Sequence, residues 1–195
     1  MFKITNYKIY KHAWIDKRAP HFGEKLDSTS ISELLSNGGI MVRNTYDFDC
    51  DKETSFWYVI KDKFGGMEEL SSKKRNQVKK SLKTYNVRKV SAEEILSVGL
   101  PIYQEACESY KVKTSIITSN EFRSRIASCE KMGRSDYWCV YNKETNEAVA
   151  LAINTVFEDC CEYNTMKCKP KVMRNSTYPC YGLIYEMNRY YLEEL

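Results

Sequence analysis

Histidine is nearly absent: His12 and His21 are the only two in 195 residues. Histidine-based acid–base or nucleophile chemistry therefore has little to draw on. Glycine and proline are also sparse, with 8 and 4 residues, which excludes collagen-like and low-complexity classes. Long apolar runs are missing too. The longest aliphatic stretch, Ala148 to Ile153, spans six residues, whereas a membrane-spanning helix needs roughly 20. The N-terminus, MFKITNYKIYKHAWIDKR, lacks the apolar core of a secretory signal. The expectation is a cytoplasmic protein with no transmembrane segment.

What is present describes a folded chain. Hydrophobic residues make up 43% and charged residues 29%, enough for one large domain or two small ones. Eight cysteines occur, at 50, 107, 129, 139, 160, 161, 168 and 180. None forms a C-x-x-C pair and none lies near a histidine in sequence, so no zinc-ligand pattern is present and no metal is expected. A disulfide framework belongs to small secreted domains. The cysteines are therefore expected to be reduced thiols filling small core positions.

The net charge is +4, too mild to imply a nucleic-acid partner by itself. Its distribution is uneven. Eight Lys or Arg residues and no acid lie in the 17 residues from Lys73 to Lys89.

Along the chain, Tyr7 to Trp14 suits a short strand, and Ser28 to Ser30 offers N-caps for a helix over Ile31 to Ser36. Ile40 to Asp47 alternates and, with Phe56 to Lys61, is expected to form a β-hairpin. Lys73 to Tyr85 is a basic helix whose apolar stripe is Val78, Leu82 and Tyr85. Val87 to Val90 is a strand. Ser91 and Glu94 then suggest a capping box for a helix reaching about Tyr110, with a break or kink expected near Leu100 because Pro101 follows Gly99. A helix from Ser119 to Gly133 turns Phe122, Ile126 and Cys129 inward.

From there the period changes from 3.6 to 2. Strands are expected at Tyr137 to Tyr141, at Glu147 to Phe157 (apolar enough for burial on both faces) and at Cys160 to Lys167. On the last of these, alternation puts Cys161, Tyr163 and Thr165 on one face and Cys160, Glu162, Asn164 and Met166 on the other. A loop over Cys168 to Tyr178 leads through Pro179 into a final helix. The fold class is thus α/β (α+β): residues 1–70 form an extension with strand, short helix and hairpin, and residues 71–195 form the core.

This order resembles the GNAT (acyl-CoA N-acyltransferase) superfamily, and more closely its FemA/FemB-like branch. The likeness is carried by Met41-Val-Arg-Asn-Thr-Tyr-Asp-Phe-Asp, Ser55-Phe-Trp-Tyr-Val-Ile, Leu70-Ser-Ser-Lys-Lys-Arg-Asn-Gln-Val-Lys-Lys-Ser-Leu-Lys and the segment from Tyr137-Trp-Cys-Val-Tyr to Tyr163. It covers roughly residues 40 to 195. The resemblance implies a largely antiparallel sheet flanked by helices and N-acyl transfer to an amine acceptor, glycan- or cell-envelope-related. The donor would be acyl-CoA or aminoacyl-tRNA. Two departures stand out. The family's glycine-rich donor loop is replaced by Lys171-Val-Met-Arg-Asn-Ser-Thr-Tyr-Pro-Cys-Tyr-Gly, with the single glycine Gly182. The family's last strands would also lie beyond Leu195, so the core is expected to lack them.

In that fold the strand over Cys160 to Lys167 lines part of the cleft, and Glu162 or Tyr163 could accept a proton there. The plain alternative makes Tyr163 a core residue and Glu162 a solvated edge residue. Arg174, Ser176 and Tyr178, with Gly182, would hold the donor phosphate at a helix N-terminus, or would form an ordinary polar loop. Arg75 and Lys79 would meet an anionic substrate such as a glycan precursor or a tRNA end; otherwise the basic helix is a solvated face, or an independent patch for nucleic acid or membrane. A catalytically inactive binding module on the same fold is the competing function.

Overall fold

Helix and strand boundaries in the computed structural model, which describes residues 2–48, 50–51, 59–112 and 115–195, follow the periodicity closely in the second half of the chain. The chain divides into two compact units, Met1–Val59 and Ile60–Leu195. The described residues are of mixed α/β class, with a three-stranded and a four-stranded sheet. No helix among them is long and apolar enough to cross a membrane.

In the first unit, strands β1 (Tyr7–Tyr10) and β2 (Ala13–Asp16) form an antiparallel hairpin. The single strand expected over Tyr7 to Trp14 is broken because Lys11 and His12 both take positive φ, 47° and 66°. That is the geometry of a two-residue hairpin turn, usually built from Asn and Gly. Without those residues the turn was not readable. Helix α1 (Ser28–Ser36) starts earlier than expected, because Asp27 caps it by accepting the Ser30 N–H at 2.7 Å. Strand β3 (Met41–Arg43) pairs parallel with β2. Of its expected hairpin partner, Phe56 to Tyr58 lie outside the described residues, and 59–61 carry no strand. Tyr7, Trp14 and Leu34 form this unit's core.

The second unit is a meander with helices on both faces. Basic helix α2 (Ser72–Thr84) is capped by Ser71 and runs directly into strand β4 (Tyr85–Val90). Helices α3 (Ala92–Glu108) and α4 (Ser119–Met132) follow. Strands β5 (Ser135–Asn142), β6 (Ala148–Val156) and β7 (Cys161–Cys168) complete the antiparallel order β4-β5-β6-β7. The expected loop contains one short helix, α5 (Pro170–Arg174), before α6 (Pro179–Arg189) and a terminal π turn.

Alternation along β5 divides the core in two. Tyr137, Cys139 and Tyr141 face α3 and α4 with Leu151, Ile153, Ile95, Ile102, Phe122 and Ile126. Trp138 and Val140 face the other way, with Ala150, Ala152, Leu183 and Met187. Strand β6 is buried on both faces from Ala148 through Asn154, as its continuous apolar run implies. Helix α4 ends where expected, on Gly133 in the left-handed region.

Helix α3 does not break at Leu100; it runs unbroken through Pro101. Gly99 explains how. A Cβ there would lie 2.9 Å from the Phe122 ring and 3.2 Å from Leu151, so glycine lets the helix seat tightly against α4 and β6. The packing outweighs the one backbone bond that proline forfeits.

The expected capping box is half present. Ser91 Oγ accepts the Glu94 N–H at 3.1 Å. The Glu94 carboxylate, however, is engaged by Arg88 and by the Tyr141 hydroxyl, the latter at 2.6 Å. Hydrogen bonds from Arg88 and then Tyr141 hold its pKa below the ordinary glutamate value. Its contribution is therefore complete above about pH 4.3 and disappears as pH falls through the lowered value. Glu94→Gln is expected to shrink the stability difference from wild type as pH drops below that point. Denaturant midpoints across the acid range test this, and a pH-independent difference would contradict it.

Candidate functional site

Helix α6 meets two groups of candidate residues, one at each of its ends. At its start, α2 crosses it closely. A Cβ on Gly182 would lie 2.4 Å from Ser81 Oγ and 3.1 Å from Ser81 Cβ. Gly182 therefore sits buried in a helix–helix contact, with Ser81 fully buried beneath it. Ser81 Oγ has no hydrogen-bond partner among the described residues. Gly182→Ala is expected to cost about 1–3 kcal/mol by overpacking. The loss should be smaller in a Ser81→Ala background, where the nearest atom is gone. A double-mutant cycle on unfolding free energy checks this, and strict additivity would refute it.

That crossing brings α2 lysines onto α6 tyrosines. Lys74 Nζ donates to the Tyr181 hydroxyl at 2.6 Å and sits 4.6 Å from its ring centre. Lys80 Nζ lies 5.9 Å from the Tyr178 ring. Tyr178 and Tyr181 meet edge to face at 5.8 Å. The aromatic faces hold two ammonium groups beside the helix N-terminus without neutralising them. Arg174 and Ser176 are exposed on the approach to the same end.

The sequence singled out Arg75 and Lys79 on this helix. Arg75 turns back to the Leu70 carbonyl at 3.2 Å and to Glu68 at 3.6 Å. Lys79 is exposed. The residues that reach α6 are instead Lys74 and Lys80, neighbours of those two. Helical spacing held the signal: Lys74, Val78 and Ser81 are four and three residues apart, on the face that packs. Two further cations of the cluster are committed elsewhere, Arg88 to Glu94 and Lys89 to Asp136 at 2.8 Å.

The backbone at this N-terminus offers few donors. Pro179 has no N–H, and the Tyr181 N–H is taken by the Tyr178 carbonyl at 2.9 Å. Ser176 and Tyr178 both hold positive φ, 52° and 57°. The cradle that a glycine-rich loop would supply is thus reduced, and positive side chains carry the electrostatics.

The other end of α6 meets β7. Between Ile153 and Thr155 of β6 the register shifts, so that Ile153 pairs with Thr165 but Thr155 pairs with Glu162. The extra residue breaks the expected alternation. Tyr163 and Thr165 no longer share a face. Thr165 accepts from Arg125 of α4 at 2.7 Å, while the Tyr163 hydroxyl donates to Asn188 Oδ1 of α6 at 2.8 Å. Glu162 accepts from Asn164 at 3.2 Å, and Asn164 in turn accepts from Thr155 at 2.6 Å. Glu162 and Tyr163 therefore point to opposite sides of the sheet.

Tyr163 is 38% exposed, and the covered part of its side chain lies against Tyr191 and Asn188. That desolvation raises its pKa, so the phenol keeps its proton at neutral pH. Beside it lies a network that the sequence did not reveal. Tyr191 OH accepts from Trp138 Nε1 at 3.0 Å and from Asn154 Nδ2 at 3.3 Å, and donates to Asp136 at 2.9 Å. Asn154 is fully buried, and its Oδ1 has no partner among the described residues. The only sequence signal was an asparagine inside an apolar strand.

Arg174, Ser176 and Tyr178 lie at one end of α6 and Tyr163 lies against its other end, at Asn188. Ten residues of helix, roughly 15 Å, separate them. No protein-family model matches the chain, and no curated protein does either.

Proposed function

We propose that the second unit is an N-acyltransferase of the GNAT and FemA/FemB type, acting on an amine acceptor with an extended, anionic acyl donor. The observation that carries this reading is the order β4-α3-α4-β5-β6-β7-α5-α6, with its register shift beside Tyr163 and its cations at the α6 N-terminus. The two ends of α6 suit an elongated donor such as acyl-CoA. Its phosphates would meet Lys74, Lys80 and Arg174, and its acyl end would reach toward Tyr163. An aminoacyl-tRNA end presents the same pairing of phosphate and ester.

Transfer would be direct. The neutral amine attacks the donor carbonyl, a tetrahedral intermediate forms, and the carbon–sulfur or carbon–oxygen bond breaks. The Tyr163 phenol, protonated at neutral pH, would give its proton to the departing thiolate or alkoxide and regain one from the attacking nitrogen as the amide forms. Glu162 faces away from α6 and has no part in that step. The acceptor fits a glycan precursor or other small amine.

Thermal shift and calorimetry with acetyl-CoA, a long-chain acyl-CoA, free coenzyme A and aminoacyl-tRNA test the donor. At least one should stabilise the protein, and no response to any of them overturns the reading. Among responders, Tyr163→Phe should slow transfer to an amine without weakening donor binding.

One observation favours a second reading. The two candidate proton-transfer residues lie on opposite faces of the sheet, as expected of a catalytically silent module that keeps only anion binding. Donor binding without turnover on any amine would select it.

A further inference from the structure

Two cations converge where α3, α4 and β7 meet. Thr165 and Lys167 of β7 stand opposite Ile153 and Leu151 of β6, and those two belong to the core under α3 and α4. Directly opposed residues share a face of the sheet, so this cluster lies on the side away from α6. Arg125 of α4 donates through Nη1 to the Tyr103 hydroxyl of α3 at 2.9 Å, and through Nη2 to Thr165 Oγ1 at 2.7 Å. Lys167 Nζ donates to the Tyr110 hydroxyl at 2.5 Å and lies 4.8 Å from that ring's centre. One ring holds both cations. The centre of Tyr103 is 5.5 Å from the Arg125 guanidinium carbon and 5.0 Å from Lys167 Nζ.

The cluster is one-sided in its chemistry. Among the described residues, neither Arg125 nor Lys167 has a carboxylate partner. Lys169, two residues further along β7, shows the ordinary arrangement, with Glu147 at 2.6 Å and Glu105 at 3.6 Å. The hydroxyls of Tyr103, Tyr110 and Thr165 each accept from a cation, and none has an acceptor for its own proton among the described residues. A hydroxyl that accepts from a cation is polarised toward donating its own hydrogen. Two positive charges and three O–H donors thus meet with no acceptor to receive them. Both Nη atoms of Arg125 are fixed by protein partners, so the guanidinium is held before any ligand arrives. β7 is the outer strand of its sheet and Tyr110 is 43% exposed, so the cluster opens to solvent at the sheet edge.

We propose that Arg125, Lys167 and the hydroxyls of Tyr103, Tyr110 and Thr165 form a binding site for a phosphate monoester.

Charge and geometry select that group. A phosphate monoester brings nearly two negative charges at neutral pH and three terminal oxygens that only accept, which matches two cations and three hydroxyls. A carboxylate brings one charge and two oxygens, and so does a phosphodiester. The site lies across the sheet from Lys74 and Lys80 and does not rest on the acyl-donor reading.

The test is calorimetry on the full chain with phenyl phosphate, benzoate and diphenyl phosphate, and with inorganic phosphate as competitor. Phenyl phosphate should bind about tenfold or more tighter than either singly charged ligand, the equivalent of one further charge-assisted contact. Inorganic phosphate should displace it. Lys167→Gln should weaken binding about tenfold by the same arithmetic. Tyr103→Phe, which keeps the ring beneath both cations, should weaken it less. Arg125 also ties α4 to β7, so Lys167→Gln, whose one hydrogen bond is to the exposed Tyr110, keeps the test independent of folding. Lys74→Glu with Lys80→Glu should leave phenyl phosphate affinity nearly unchanged. No binding of phenyl phosphate overturns the proposal, as does benzoate binding equally well or Lys167→Gln without effect. Loss of phenyl phosphate binding in the Lys74 and Lys80 variant alone would place the phosphate at α6 and overturn it too. No coenzyme A or tRNA enters the experiment, so failure of the donor reading leaves these outcomes unaltered.

Discussion

Phe122→Ala is expected to cost about 3–5 kcal/mol of the second unit's stability. Phe122 is 1% exposed and fills the space where α4 meets α3 and β6. Gly99 approaches its ring, Leu151 shares its core cluster, and Tyr103 lies 6.1 Å from it between ring centres. Helix α3 is held at that distance by the glycine, so it cannot move closer to fill the cavity. Truncation would therefore lose both transfer energy and packing. Against a total of about 5–15 kcal/mol for a typical domain, the variant would be marginal at 37 °C. Denaturant unfolding measures the loss. Phe122→Leu, which keeps most of the volume, should cost less than half as much; equal costs would show that the site collapses freely.

Reversing Lys74 and Lys80 together to glutamate is expected to weaken donor binding about 100-fold. The figure assumes roughly 1.5 kcal/mol for each charge-assisted contact, or about tenfold apiece. Both lysines are exposed, and substitutions at such surface sites usually shift stability by only about 0.5 kcal/mol. Binding and folding are thus separable in this pair. Lys73 and Lys83 supply the control: they sit on the same basic helix but make none of the tyrosine contacts described for Lys74 and Lys80. Their reversal should change affinity by only a few-fold, through long-range charge. Calorimetry at two salt concentrations separates the outcomes. Equal losses from both pairs would mean that the helix acts as a diffuse positive surface, not as a site.

How much was legible depended on how local each cause is. Helix α4 could be placed to the residue because its inward stripe and its terminal glycine lie within one segment. The buried strand β6 was equally clear from its composition. The Lys11–His12 turn was not, because positive φ at non-glycine residues is imposed by the pairing of the strands on either side. Pro101 was expected to break or kink α3; the helix does not break, because the packing around Gly99 holds it.

The site divides in the same way. Sequence alone determined the mixed α/β class, the order of elements from Val87 onward, the basic helix, and the presence of Tyr163 and Glu162 on one strand. Tertiary structure decided which of these meet. A register shift against β6 put Tyr163 and Thr165 on opposite faces, and no property of β7 alone encodes that shift. The close α2–α6 crossing, permitted by a glycine over a serine, selected Lys74 and Lys80 from a run of eight cations. Short-range patterns follow from the backbone's own periodicity, whereas pairings between elements depend on side chains that are distant along the chain and adjacent only in the fold.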